Sequence, residues 1–183
     1  MSSISAKRNY PDNYGKNKLE IENIVRNSGL NYTIIRPSII YGKGSKSFDF
    51  IINYLKKIPF FTPIIGNGKY KIIPVYVKDV AKVIKKCKEN KKTDKKEYDI
   101  VGDKSLFFIE LIDLLKKEIN IKKTNIHIPL FLCNIISIIF PKIISKENIK
   151  NLTEDSQADI SLAQKEINYK PSNFKENIKN GLI

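Results

Sequence analysis

The run "YTIIRPSIIYG" (Tyr32 to Gly42) is β-branched and aromatic, and "KIIPVYV" (Lys71 to Val77) and "EYDIVG" (Glu97 to Gly102) read as further extended, strand-like runs. A run of the first kind suits a strand buried on both faces. The segments between them are of helix length, and strands joined through helices pair side by side in parallel. The expectation is therefore an α/β fold with parallel strands. The first run should be a buried strand that ends at Pro37.

The connecting segments carry helical patterns. Asn13 to Ser28 has a rough apolar stripe of Leu19, Ile21, Ile24 and Val25, closed by Gly29 just past its end. Ser47 to Lys57 places Phe48, Ile51, Ile52 and Leu55 on one side. "KDVAKVIKKCKEN" is a helix with Asp79 in its first turn, where a carboxylate complements the helix dipole. Capping and packing account for Asp79 without catalysis. "SLFFIELIDLLKKEI" is an amphipathic helix with Ser105 as its expected N-cap. "PFFTPIIGNGKY" (Pro59 to Tyr70) is punctuated by proline and glycine and reads as loop, with Gly66 and Gly68 at turns. Met1 to Ala6 reads as the tail of a strand. A short helix, a turn at Tyr169–Pro171 and a last helix close the chain.

Composition narrows the function classes. The chain has 183 residues, 42% of them hydrophobic, enough for one domain with a real core. Its 33 basic and 19 acidic residues give a formal net charge of +14. Such a chain is drawn to nucleic acid or to anionic surfaces. The lysines are scattered, however, and the densest run, "KKCKENKKTDKKE", reads as a helix end and a solvated loop. No arginine-rich stripe or aromatic RNA-binding signature occurs, so nucleic acid is not an expected partner. Cys87, Cys133 and the single His127 are far apart with no CxxC pair, so no metal site is expected. Free thiols fit a reducing, cytoplasmic compartment. Met1 to Pro11 is polar and holds no signal peptide. The most apolar stretch, Ile128 to Ile144, is bracketed by Pro129 and Pro141 and is too short to span a bilayer. It is expected in the core rather than against lipid.

One short stretch points to chemistry. "NYGKNKLE" (Asn13 to Glu20) sets Tyr14 and Lys18 four residues apart, on one face of a helix. An ammonium beside a phenol favours the phenolate, which makes Tyr14 a candidate proton shuttle. The competing reading is a surface tyrosine and lysine on an amphipathic helix.

Six motifs then occur in fixed order: "SSISA", the Tyr14-x-x-x-Lys18 pair, "SGLNYTIIRPSIIYGKG", "GNGKYKIIPVYVKDVAKVI", "YDIVGDKSLFFIELIDLL" and "DISLAQKEINYKP". Together they resemble the C-terminal half of an extended short-chain dehydrogenase/reductase, of the NAD-dependent epimerase/dehydratase group. The resemblance implies a partial Rossmann-like, doubly wound parallel sheet with a smaller C-terminal substrate domain. Residues 1–60 would be the remaining Rossmann part, and 61–183 would mix the Rossmann end with the substrate domain. It implies NAD or NADP as cofactor and a small-molecule substrate such as a nucleotide sugar. Tyr14 resembles the catalytic acid/base, and Lys18 the lysine that favours the tyrosinate and bonds the nicotinamide ribose. Ser3 resembles the serine that bonds the substrate oxygen and orients the tyrosine, with Ser2 and Ser5 as near rivals. Pro37 and Ser38 resemble the residues that border the nicotinamide.

Two departures qualify this. The family's glycine-rich GxxGxxG loop, which seats the pyrophosphate on a helix N-terminus, is absent. The chain starts at what resembles the end of the fifth strand. It is therefore expected to be a fragment, inactive alone, that needs the missing half or a homo-oligomer. Its sheet would have an unpaired inner edge and expose Ile34, Ile35 and Ile39. Second, "KYKIIPVYV" stands where many nucleotide-sugar epimerases carry Arg-Asp-Phe. The form is closer to steroid-type dehydrogenases and to the reductase-like accessory subunit of respiratory complex I. The alternative is thus a non-catalytic, nucleotide-binding assembly subunit.

Overall fold

The computed structural model describes residues 1–9, 11–139, 149 and 154–181. In chain order a 3-10 turn (Ile4–Lys7) precedes α1 (Asn13–Asn27), β1 (Thr33–Pro37), β2 (Ile40–Tyr41) and α2 (Lys46–Lys57). Then come β3 (Phe61–Ile65), β4 (Lys71–Ile72), β5 (Val75–Tyr76), α3 (Val77–Glu89) and a second 3-10 turn (Lys91–Thr93). The rest is β6 (Lys96–Ile100), β7 (Leu106–Phe107), α4 (Phe108–Glu118), β8 (Thr124–Ile128), α5 (Leu130–Ile139), α6 (Ser161–Ile167) and α7 (Phe174–Gly181). These elements form two compact units. The first comprises Met1–Ser45, Ile73–Ser105 and Ser156–Ile183; the second comprises Lys46–Ile72 and Leu106–Asp155. Residues 1–60 are therefore shared between the units.

The first unit is built on the parallel pair β1 and β6, with Ile35 opposite Tyr98 and Pro37 opposite Ile100. A second parallel pair, β2 with β5, sets Tyr41 opposite Tyr76. Their rings stack at 5.3 Å, and Phe174 meets Tyr41 edge-on at 5.0 Å. From α3, Val80, Val83 and Cys87 recur at helical spacing and pack with Ile35, Tyr98 and Ile100, while α6 adds Ala163 and Ile167. The parallel α/β class read from the sequence is what forms.

Three local expectations fail in this unit. Met1 to Ala6 is not a strand tail: the Ser3 hydroxyl accepts from the Ser5 N–H, and the chain turns into a 3-10 helix. Serine side chains compete in this way for local backbone donors. Only the start of the segment runs beside β1, where the Ser2 N–H donates to the Ile35 carbonyl at 2.8 Å. Second, Ile34 and Ile35 are buried rather than exposed. Third, the apolar stripe of α1 faces outward: Leu19, Ile21 and Ile24 are exposed. Gly15 and Glu22 are the buried residues of that helix. A close backbone approach and an ion pair, rather than apolar contact, choose its inner face.

In the second unit β3 pairs in parallel with β8, with Thr62 opposite Asn125 and Ile64 opposite His127. This corrects the loop expected at Pro59 to Tyr70. Pro63 is tolerated because donors alternate along a strand. The Gly66 N–H reaches the Ile128 carbonyl at 2.8 Å, so even-numbered donors face β8 and the proline nitrogen faces away. The outward Pro63 carbonyl accepts from the Tyr54 hydroxyl at 2.8 Å. Gly66 and Gly68 do form turns, with φ of +61° and +66°. Leu111, Ile112 and Leu115 of α4 are fully buried, and Phe48 and Leu55 of α2 nearly so. Ser105 is not the N-cap of α4; Phe107 is, and the Glu110 carboxylate accepts its N–H at 2.8 Å. A glutamate at the third helical position satisfies the orphan donor that the serine would have served.

The described part of the apolar stretch Ile128 to Ile144 also departs from expectation. On α5, Cys133 and Ser137 are buried, while Leu130, Phe131, Leu132, Ile135 and Ile138 are exposed. Residues 140–144 lie outside the described residues. Among the described residues, no helix is long and apolar enough to cross a membrane.

Candidate functional site

Ser3, Tyr14, Lys18, Pro37 and Ser38 all belong to the first unit. Tyr14 and Lys18 share one face of α1, as the spacing requires, and the lysine Nζ lies 5.5 Å from the centre of the tyrosine ring. Tyr14 is 54% exposed, so its phenol is open to a ligand. Its hydroxyl has no hydrogen-bond partner among the described residues. Asp12 caps the helix by accepting the Gly15 N–H at 2.8 Å. A Cβ added to Gly15 would fall 2.6 Å from the Ser5 carbonyl oxygen and 2.8 Å from Pro11 Cβ. Glycine at 15 therefore lets the serine turn close against the first turn of α1. Ser3 itself is buried, with its Oγ 3.2 Å from the Ser5 N–H and 3.3 Å from Ser5 Oγ. The fold brings the serine turn to the tyrosine helix but forms no Ser3–Tyr14 hydrogen bond.

A buried ion cluster fixes where that helix stands. Arg36, in β1, donates from Nε and Nη2 to the two oxygens of Glu22 at 2.8 and 2.7 Å. It also bonds Glu97 of β6. Arg26 joins from the helix end, donating to Glu97 at 2.6 Å and to Glu22 at 2.8 Å. Asp99 lies 3.7 Å from Arg36 and accepts from Lys7 at 2.7 Å. Burial alone would push the Glu22 carboxyl up, but the hydrogen bonds and charge of Arg36 outweigh it and hold the group below its ordinary range. The hydrogen bond from Arg26, aided by Arg36, lowers Glu97 to about 2.

The cluster sets the height of Tyr14 and Lys18. α1 returns to β1 through residues 28–32 alone, so the two run antiparallel. At about 1.5 Å per residue, Lys18 lies about 6 Å and Tyr14 about 12 Å beyond Glu22 along the axis. Glu22 is bonded to Arg36, next to the last residue of β1. The pair therefore overhangs the carboxyl end of the strand, where open α/β sheets form their ligand crevices. Pro37 and Ser38 lie at that same end and are buried. The Ser38 N–H donates to the Ile100 carbonyl at 3.1 Å, and its hydroxyl donates to the Ile73 carbonyl.

Sequence reasoning missed Gly15, Glu22, Arg26, Glu97, Asp99 and Lys7. One signal was available: an arginine inside the apolar run "TIIRP" demands a buried partner, and Glu22 lies four residues beyond Lys18 on the same helical face. Among the described residues, no cluster of three or more His, Cys, Asp or Glu side chains is arranged to hold a metal.

Residues 5–101 match the sequence model of the NAD dependent epimerase/dehydratase family. A relative from Dictyostelium discoideum, "NADH dehydrogenase [ubiquinone] 1 alpha subcomplex subunit 9, mitochondrial", is 30% identical over 117 residues, 63% of this chain and 32% of that protein. The UDP-glucose 4-epimerase of Thermotoga maritima, solved with UDP-glucose, superposes with a TM-score of 0.66 at 22% identity, covering 92% of this chain and 51% of that one. The UDP-glucuronic acid 4-epimerase of Bacillus cereus, solved with UDP-glucuronic acid and NAD, gives 0.67 at 20% identity over 92% and 50%. Pal from Bacillus thuringiensis gives 0.70 at 16% identity over 99% and 58%. The likenesses to solved structures show a Rossmann-like α/β fold. The chain spans about a third of the curated relative's length (32%) and about half that of the first solved structure (51%).

Proposed function

Because the chain belongs to the NAD dependent epimerase/dehydratase family, we propose that its first unit holds the nicotinamide end of an NAD(P) site and handles the proton of a redox step on a nucleotide sugar. The observation that carries this reading is Tyr14 and Lys18 on one face of α1, beyond the carboxyl end of β1. Hydride exchange at a sugar carbon makes or consumes an alkoxide, and the Tyr14 hydroxyl takes or gives that proton. Lys18 steadies the tyrosinate and bonds the nicotinamide ribose. Ser3, freed from its turn, meets the substrate oxygen, and Pro37 borders the ring. A bound nicotinamide supplies the hydride acceptor.

These residues fit that end of the cofactor: the phenol is open and the ammonium stands beside it. The other end does not fit. The eight glycines of the chain form no GxxGxxG, the motif by which the family seats the pyrophosphate on backbone N–H groups. On this reading the phosphate-binding part comes from outside these residues, and turnover by them alone is not expected.

A second reading is a nucleotide-binding assembly subunit without catalysis. It rests on the Dictyostelium relative, named as a subunit of NADH dehydrogenase, and on the "IIPVYV" run. Titration of the chain with nicotinamide mononucleotide, AMP, NAD and NADP, followed by amide shifts, tests the first reading. Nicotinamide mononucleotide and NAD should bind within a few-fold of each other and shift residues 14–18, while AMP should not bind. AMP binding, or nicotinamide mononucleotide leaving α1 unmoved at millimolar concentration, would defeat it.

A further inference from the structure

The helix α5 is built inside out. It seats itself through Cys133, 3% exposed, and Ser137, 5% exposed, and turns its large side chains to solvent. Phe131 is 64% exposed, Ile135 48% and Ile138 65%, and these recur at positions i, i+4 and i+7 along one face. Leu132 flanks them. Scattered exposed hydrophobics are ordinary; a contiguous stripe without a charge on its helix marks an interaction surface.

What covers the stripe follows from charge and shape. A second copy of the chain would bring one +14 body against another. An anionic bilayer surface is complementary to that charge, and an apolar stripe enters lipid without needing matched hydrogen bonds. At 10 residues α5 is about 15 Å long, too short to span a bilayer, so it would lie in the interface plane. Beside its first turn is an open pocket of about 380 Å³ lined by Gly66, Asn67, Lys69, Ile109, His127 and Pro129. Lys69 and His127 are exposed there, and His127 Nδ1 lies 3.0 Å from the Gly66 carbonyl. The apolar stripe and the exposed Lys69 beside it together match the two layers of a lipid surface, acyl chains below and phosphate above. We propose that α5 and this pocket form a face that docks the protein on an anionic bilayer.

The test is co-sedimentation of the full chain with vesicles of phosphatidylcholine alone and with 30 mol% phosphatidylglycerol, at low and at physiological salt. Binding to the anionic vesicles should exceed binding to phosphatidylcholine by about tenfold and weaken with salt. Phe131→Ser with Ile138→Ser should reduce it by at least about tenfold, since both side chains are exposed and their loss removes buried apolar area only in lipid. Lys69→Glu should reduce the anionic preference. Ile24→Ser, on the exposed face of α1, should leave binding unchanged. Equal binding by the double variant would overturn the proposal, as a purely electrostatic attraction. So would a lack of binding to anionic vesicles at low salt. A dimer seen by light scattering and abolished by the double variant would assign the stripe to a second copy and overturn it as well.

Discussion

Replacing Arg36 by methionine should cost the first unit about 3 kcal/mol. The guanidinium is 7% exposed and holds the Glu22 carboxylate, itself 2% exposed, through two hydrogen bonds. Removing one partner of a buried pair typically costs about 3–5 kcal/mol, because the other charge stays buried. Arg26 still reaches Glu22 at 2.8 Å and Glu97 at 2.6 Å, which puts the expected loss at the lower end. The pH linkage gives the same scale. Glu97 sits at about 2 against an ordinary 4.5, a depression worth about 3 kcal/mol at about 1.4 kcal/mol per unit, with the Arg26 hydrogen bond its largest cause and Arg36 a further one. Arg36 accounts for part of that depression, and the stranded Glu22 carboxylate adds to the loss. The double variant Glu22→Met with Arg36→Met should recover most of the loss, since apolar replacement of both partners is often neutral and the Arg26–Glu97 pair survives. Urea unfolding followed by far-UV circular dichroism at pH 7 reads all three proteins. The single variant should move the midpoint down by about 1–3 M. A single variant within 1 kcal/mol of the parent, or a double variant no more stable than the single, would show that the cluster does not hold α1 to β1.

Three further outcomes follow from the same geometry. Glu97 has a lowered folded-state pKa, so its contribution is complete above the ordinary glutamate range near 4.5 and disappears as pH falls toward about 2; acid titration of the parent and of Glu97→Gln should show a smaller loss across that window in the variant. Gly15→Ala should destabilise by about 1–3 kcal/mol despite the better helix propensity of alanine, because its Cβ would meet the Ser5 carbonyl oxygen at 2.6 Å; thermal melting measures it. Tyr14→Phe should leave nicotinamide mononucleotide affinity within about threefold, yet lower turnover by about 10²–10⁴-fold in any assembly that supplies the phosphate-binding part; near-normal turnover would remove Tyr14 from the proton path.

The strand "TIIRP" was legible because most of its residues are β-branched or apolar and suit burial on both faces, and "KEYDI" because Tyr98 and Ile100 stand in a short run set off from it by helix-length segments. The Tyr14–Lys18 face was legible because four residues is nearly one helical turn. The inward face of α1 was not. Periodicity locates a stripe but does not say whether apolar contact or a buried charge cluster anchors the helix, and here Glu22 and Arg36 decided it. β3 was hidden because proline and glycine dominate its neighbourhood, and only the alternation of donors against β8 shows that Pro63 forfeits no ladder bond. On α5, hydropathy was correct about the composition and silent about direction. The residues that meet the rest of its unit, Cys133 and Ser137, are the small ones.

Pro63 also decides how this protein behaves when crowded. Any chain that tried to extend the β3–β8 ribbon from its β3 edge would find a missing donor at Pro63 and an acceptor already occupied by the Tyr54 hydroxyl. Two consecutive rungs of a would-be cross-strand ladder are thus unavailable, in the middle of a five-residue strand. The β3 edge is terminated chemically rather than by bulk, so that edge is a poor template for the stacked, fibre-forming growth to which bare strand edges are prone.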